Sequence, residues 1–352
     1  MEQKIAVIDL FCGAGGLSLG LKKQDLDIVL GIDVDSDCRF PFRENICAPF
    51  LQRDVTKVTG EHLLKKFGDA DVKILVGCAP CQPFSLHTQK GGGKDERWKL
   101  LDEFSRLINE SNPHIVSMEN VPQMEKFQDG KLFKGFVRTL KNLGYKVSWK
   151  TVFCPEYGLP QNRKRLVLLA SKLGKIEFIE PTHSEEKYLT VHDAIRKLPR
   201  LYNGKTNSKD RLHHAAGLTD INIKRIKASK QGGSWTDWPK DLLPKCFTKE
   251  SGKSYGSVYG RMSWDEPSPT ITTQFFGYGT GRFGHPTQTR ALSLREGAVL
   301  QSFPKNYKFC ADDEPISVKR IGKLIGNAVP VKLGEVIGKS IKSHLTEVAK
   351  ST

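Results

Sequence analysis

No stretch of this 352-residue chain approaches the roughly 20 consecutive apolar residues that a membrane span requires, so an integral membrane protein is not expected. Met1-Glu2-Gln3-Lys4 runs directly into a strand-like segment, and no secretory leader is visible. The eight cysteines, scattered from Cys12 to Cys310, lack a framework spacing and fit free thiols in a reducing cytoplasm better than disulfides. Cys78-Ala79-Pro80-Cys81 has no second C-x-x-C to complete a four-ligand zinc site, so no metal is expected. Internal repeats, low-complexity tracts and a basic amphipathic helix are also missing. Acidic residues are in short supply, 39 against 55 Lys and Arg, which gives a formal net charge of +16. That excess points to a polyanionic partner, nucleic acid before membrane, although a basic surface also serves solubility. With 38% hydrophobic and 27% charged residues the chain reads as globular and is long enough for two domains.

What is present is alternation. Ile5 to Phe11 is an apolar run broken by one carboxylate, as in a central parallel strand. Cys12-Gly13-Ala14-Gly15-Gly16 follows as a tight turn, and Leu17, Leu19 and Leu21 continue as a helix. Strand-like segments recur at 28–32, 50–55, 72–78, 114–118, 147–153 and 165–170, with helical patterns over 60–67, 96–108 and 131–143. This is the pattern of a doubly wound parallel sheet, whose ligands gather at the carboxyl ends of strands. Phe11, Asp33, Asp54, Cys81 and Glu119 all fall at such ends. After about residue 181 periodicity weakens, and His, Lys, Asn and Gly become frequent through Ser257. Helices return at Ser293–Leu300 and Val331–Leu345.

Several short stretches carry chemistry. The glycines after the first strand allow a ligand to approach the backbone at a helix N-terminus. A dinucleotide fingerprint would need a third glycine at position 18, where the chain has Ser18, so a nucleotide-like ligand without a pyrophosphate fits better than NAD. A purely structural turn is the alternative. Cys81, at a strand mouth between two prolines and before the glycine-rich Leu86 to Lys94 segment, is placed as a nucleophile. Cys78 reads as buried and inert, although the pair also suits a redox couple. Glu119, in Met118-Glu119-Asn120-Val121-Pro122, is a poorly solvated carboxylate suited to proton donation, or alternatively a helix-capping acid. Arg163 and Arg165 share one face of their segment and can grip an anion or a carbonyl.

The motifs, in order, are Asp9 through Gly16, Gly77 through Ser85, Glu119-Asn120-Val121, Gln161-Asn162-Arg163-Lys164-Arg165 and Pro269-Thr270-Ile271-Thr272-Thr273. They continue with Arg295-Glu296-Gly297, Gln301-Ser302-Phe303-Pro304 and Gly326-Asn327-Ala328-Val329-Pro330. Over nearly its whole length the chain resembles the bacterial-type DNA (cytosine-5-)-methyltransferase family. The resemblance implies a Rossmann-like α/β sheet dependent on S-adenosylmethionine, residues 1–181, and a smaller irregular target-recognition domain, 182–289. Residues 290–352 would return to the catalytic domain. It implies that Cys81 attacks C6 of a flipped cytosine in double-stranded DNA, that Glu119 binds N3 and the exocyclic amine, and that Arg163 and Arg165 hold the base carbonyl and orient the nucleophile. Phe11 would face the adenine of the cofactor, with Gly13, Gly15 and Gly16 near its methionine portion. Asp33 would take the ribose and Asp54 the adenine amine, with Val34, Val55, Pro80, Leu100 and Asn327 lining the pocket.

The chain departs from the family pattern at Arg97-Trp98, where Arg-Gly is usual, and at Asp33, where Glu is common. A monomer in the cytoplasm, acting in restriction–modification or DNA protection beside a possible cognate endonuclease, is the expected setting. Cys246-Phe247-Thr248-Lys249 is similar to a signature of the tRNA cytosine-5 methyltransferase branch, which is the alternative. Within 182–257, Arg211, Lys224, Arg225, Lys227 and Lys230 suit phosphate contacts. Trp235 and Trp238 read as core.

Overall fold

The structure, a computed structural model, describes residues 3–80, 96–248 and 256–351. The chain divides into two compact units. The first comprises Met1–Tyr157, Lys164–Pro181 and Val329–Thr352, the second Gly158–Arg163 and Thr182–Ala328.

Nine strands are described: β1 (Ile5–Leu10), β2 (Ile28–Asp33), β3 (Phe50–Gln52), β4 (Val72–Gly77), β5 (Ile115–Asn120), β6 (Lys146–Phe153), β7 (Gln161–Asn162), β8 (Lys164–Ser171) and β9 (Ser268–Pro269). In the first unit seven of them form one sheet in the order β3-β2-β1-β4-β5-β8-β6. β1 to β5 are parallel, with Ile8 opposite Leu75 and Leu75 opposite Val116. The apolar runs of β1, β2, β4 and β5 are largely buried on both faces, as helix-covered parallel strands must be, whereas the short edge strand β3 is partly exposed.

The expectation of a parallel sheet fails at β8, which runs antiparallel to both β5 and β6. Residues 154–163, between β6 and β8, contain no crossover helix, and without one a chain can only turn back beside its own strand. Helices α1 (Gly16–Lys22), α2 (Arg39–Ile46), α3 (Gly60–Phe67), α4 (Leu100–Ser111) and α5 (Lys131–Asn142) follow strands in the expected order. On α4, Leu101, Phe104, Leu107 and Ile108 pack into the core with Leu75, Val116 and Leu168. The last helix of the chain (Val331–Ser351) crosses α1 at two glycines. A Cβ on Gly20 would sit 2.5 Å from the main chain of Gly334.

The second unit is irregular. Its helices are α6 (Val191–Ile195), α7 (Asp220–Ala228), α8 (Leu294–Leu300) and α9 (Val318–Asn327); the last helix of the chain, in the first unit, is α10. Trp235 and Trp238 are buried there as expected, with Ile226, Phe247, Tyr278 and Ala291. Trp235 stacks on Phe247 with ring centroids 4.6 Å apart, and the Trp238 indole N–H donates to Ser229. Buried polar groups carry much of the rest. Arg261 donates to the carbonyls of Ile226, Ser229, His285 and Gln288. Arg290 makes a bidentate pair with Glu296, both at 2.7 Å.

Residues 290–328, grouped by sequence with the C-terminal return, pack in this second unit. The cause is visible in α8, whose cap Ser293 bridges Ala215 and whose Arg295 pairs with Asp210.

Candidate functional site

Because β1 to β5 are parallel, their carboxyl ends share one edge of the sheet in the first unit. β1 ends in Asp9 and Leu10, and Phe11 then takes a left-handed backbone, φ 58°, which a non-glycine residue adopts at a cost. The following turn is fixed by Asp33 from the end of β2. One carboxylate oxygen accepts the Gly13 N–H at 2.9 Å and the other accepts the Asp35 N–H at 2.9 Å. Burial pushes its pKa up. Space around Gly13 is open, since a Cβ built there meets nothing within 4 Å.

Val34, the next residue, is 66% exposed, an apolar side chain left facing outward at this edge. Asp54 caps the turn after β3, accepting from the N–H and hydroxyl of Thr56. Val55 lies in the core, whereas Phe11, Pro80 and Leu100 are half-buried. Ser18, which interrupts the dinucleotide fingerprint, has a use of its own. Its hydroxyl donates at 2.6 Å to Asp9, whose other oxygen is buried without a partner. Burial pushes the Asp9 carboxyl up to about 7.

Two strands along, Glu119 stands at the end of β5 with 2% of its surface exposed. The Cys78 thiol donates to its Oε2 at 2.8 Å. Arg165 Nε lies 3.0 Å from Oε1, yet Oε1 accepts no hydrogen bond. The ion pair is close, but the N–H does not point along the contact. The reversed direction of β8 makes this pairing possible. Asn120 lies opposite Leu166, so Arg165 enters at the edge where the parallel strands leave. A parallel β8 would have put it at the other edge.

Asn120 then ties down the main chain after β4. Its side-chain amide donates to the Ala79 carbonyl at 3.0 Å, and its own oxygen accepts the Val121 N–H. Cys81 and the Leu86 to Lys94 segment lie outside the described residues.

The second unit holds most of the later motifs around two carboxamides that sequence reasoning did not single out as site groups. Gln161 donates to the Leu300 carbonyl and to Gln301, and accepts the Ile271 N–H. Gln301 donates to the carbonyls of Ile325 and Ala328. Arg163 joins them, 3% exposed, with long 3.4 Å contacts to Gln161 and to the Ile271 and Ala328 carbonyls. β7 and β9 pair parallel at the same place. Asn327 is exposed at the end of α9, and a Cβ on Gly326 would sit 2.4 Å from the Thr272 main chain, so only glycine lets that helix end there.

Of the expected phosphate-binding cations, Lys224, Lys227 and Lys230 are exposed along and after α7. Arg225 is otherwise employed, lying over the Trp238 and Tyr259 rings and donating to the Leu242 carbonyl. Arg211 is likewise turned onto the carbonyls of Asp312 and Glu314. Among the described residues no group of His, Cys, Asp and Glu is arranged to hold a metal. No described helix is long and apolar enough to cross a membrane.

Residues 5–343 match the family of C-5 cytosine-specific DNA methylases. The Type II methylase M.HgiDII of Herpetosiphon aurantiacus is 51% identical over 340 residues, covering 97% of this chain and 96% of that protein. The Type II methyltransferase M1.HphI of Haemophilus parahaemolyticus is 32% identical over 96% of this chain and 86% of its own. Among solved structures, a putative DNA modification methyltransferase encoded within an E. coli prophage superposes with a TM-score of 0.74 at 22% identity, covering 97% and 99% of the two chains. A DNMT2 mutant from Spodoptera frugiperda gives 0.63 at 17% identity, covering 96% and 99%. These two share the fold.

Proposed function

The chain belongs to the C-5 cytosine-specific DNA methylase family, and from that premise we propose a mechanism. In it, C5 of a cytosine flipped out of duplex DNA is methylated through a covalent adduct between Cys81 and C6. The observation that carries the reading is Glu119, buried at the end of β5 with Arg165 beside its Oε1 and that oxygen without a hydrogen bond.

C5 of cytosine is a weak nucleophile until C6 is attacked, so a thiolate is called for. As Cys81 bonds to C6, electron density moves into the ring, and Glu119 supplies a proton at N3 and accepts from the exocyclic amine. C5 of the resulting enamine then forms the new carbon–carbon bond. Loss of the C5 proton to water returns the electron pair that expels the Cys81 thiolate, and N3 gives its proton back to Glu119. Arg165 holds the base carbonyl and keeps the Glu119 carboxyl in place. Arg163, turned onto main-chain carbonyls of its own unit, is assigned to bracing the motif. A base inside a duplex is out of reach of these groups, hence the flipping.

S-adenosylmethionine, when bound, supplies the methyl group as an electrophile and leaves as S-adenosylhomocysteine. The residues fit it. Val34 offers an exposed apolar face, Gly13 leaves open space beside the backbone, and Asp33 sits between them, its carboxylate accepting backbone N–H groups from Gly13, Val34 and Asp35. Phe11, Gly15, Gly16, Asp54, Pro80 and Leu100 belong to the same edge of the first unit, and Asn327 keeps the role that the family resemblance implies. The Type II names of the relatives support a place in restriction–modification, with an endonuclease as a functional partner.

Bisulfite sequencing of DNA from cells expressing the chain tests the reaction. Protected cytosines in one fixed sequence word are expected, and Cys81→Ser should abolish them. Unprotected DNA together with a methylated tRNA cytosine would move the chain to the tRNA branch.

A further inference from the structure

We propose that Cys78 is a positioning residue of the methylation site, its thiol fixing which oxygen of Glu119 carries the proton toward N3. The inference rests on the proposed role of Glu119 and adds a group to it. Three observations carry it. The thiol donates to Oε2 at 2.8 Å. The other oxygen, Oε1, is buried without a hydrogen bond and has Arg165 Nε 3.0 Å away. The main chain carrying the thiol is itself held, because Cys78 N–H donates to the Leu10 carbonyl and Asn120 holds the Ala79 carbonyl.

The chemistry follows from the inventory of a carboxyl group. Protonated, it has one O–H and one bare acceptor oxygen. A donor fixed on Oε2 keeps that oxygen an acceptor, so the proton resides on Oε1. Ionised, the same donor holds the carboxylate plane against rotation. The thiol therefore removes the choice between two equivalent oxygens before substrate arrives. No bond to carbon or sulfur is made or broken at Cys78, and its proton stays on sulfur.

The test uses the full-length protein and duplex DNA bearing its methylated word, with labelled S-adenosylmethionine. Cys78→Ala removes the donor and Cys78→Ser keeps one. Cys78→Val fills the volume without a donor, should the alanine variant fold poorly. We expect kcat to fall about tenfold or more in the alanine and valine variants, the effect of losing a hydrogen bond to a charged group. KM for DNA and for S-adenosylmethionine should stay within about twofold, since the interaction lost acts on the chemical step. Serine should restore most of kcat. In the Glu119→Gln background, Cys78→Ala should cost little more.

An active wild type whose alanine and valine variants keep full kcat overturns the inference and leaves the role of Glu119 standing. So does a serine variant as slow as alanine. If instead Glu119→Gln methylates as fast as wild type, the reading of Glu119 fails, and the role of Cys78 fails with it.

Discussion

Asp9 is an ionisable group buried at the end of the first strand, and only one of its oxygens is satisfied. Its ordinary proton release is near 3.8, while in the folded chain burial holds the proton to about 7. Between those values the folded state binds more protons than the unfolded one. Stability therefore falls as pH rises through that window, and the penalty is complete above about 7. Asp9→Asn keeps an oxygen for the Ser18 hydroxyl and removes the titration. Thermal melts should show the variant gaining on wild type at about pH 8 and much less at about pH 5. A pH-independent difference would mean that another group titrates. Sequence placed Asp9 at a strand end but gave no hint of Ser18 as its partner, because the serine was legible only as a missing glycine. Glu119 and Arg165 were legible as a pair of types; what joined them was the direction of one strand.

At the scale of elements, the strands and helices of the first unit were readable because burial on both faces leaves long apolar runs. Expected segments at 60–67, 72–78 and 131–143 match α3, β4 and α5 closely. Direction was not readable. Leu166-Val167-Leu168-Leu169-Ala170 is uniformly apolar and packs equally well either way up. Nor was the crossing of α1 and α10. Glycine inside a helix weakens it in isolation, and its reason appears only when two backbones meet. A methyl group on Gly20 would lie 2.5 Å from the Gly334 main chain and the Val331 carbonyl oxygen, with no flexible side chain to yield. Gly20→Ala should destabilise the protein by about 1–3 kcal/mol, as overpacking does. Chemical denaturation would register this as an earlier midpoint, and an unchanged midpoint would mean the helices separate freely.

For the molecule as a whole, the charge of +16 suits a polyanionic substrate. Phosphate neutralisation releases counterions, so DNA binding should weaken steeply with salt, by roughly 10³-fold or more between about 50 and about 200 mM if six or more phosphates are engaged. Fluorescence anisotropy on a labelled duplex would measure the slope; binding indifferent to salt would assign the charge to solubility. The second unit resisted reading because periodic apolar faces do little of its work. Arg261 on four carbonyls, the Arg290–Glu296 pair and the paired carboxamides hold it, and none of these announces itself in a hydropathy pattern.

The carboxamide pair of Gln161 and Gln301 also bears on how recognition could be inherited or transplanted. A segment taken as 182–289 from a relative would bring a foreign Ser268 and Ile271 to the host's own Gln161, and foreign Tyr278 against the host's Ala291. Stopping short of Ser268 would spare the first junction but cut the aromatic core in two. The piece that travels intact is therefore discontinuous, residues 158–163 together with 182–328, and on the expectation that this unit carries target recognition, a new sequence preference is best carried over as both parts at once.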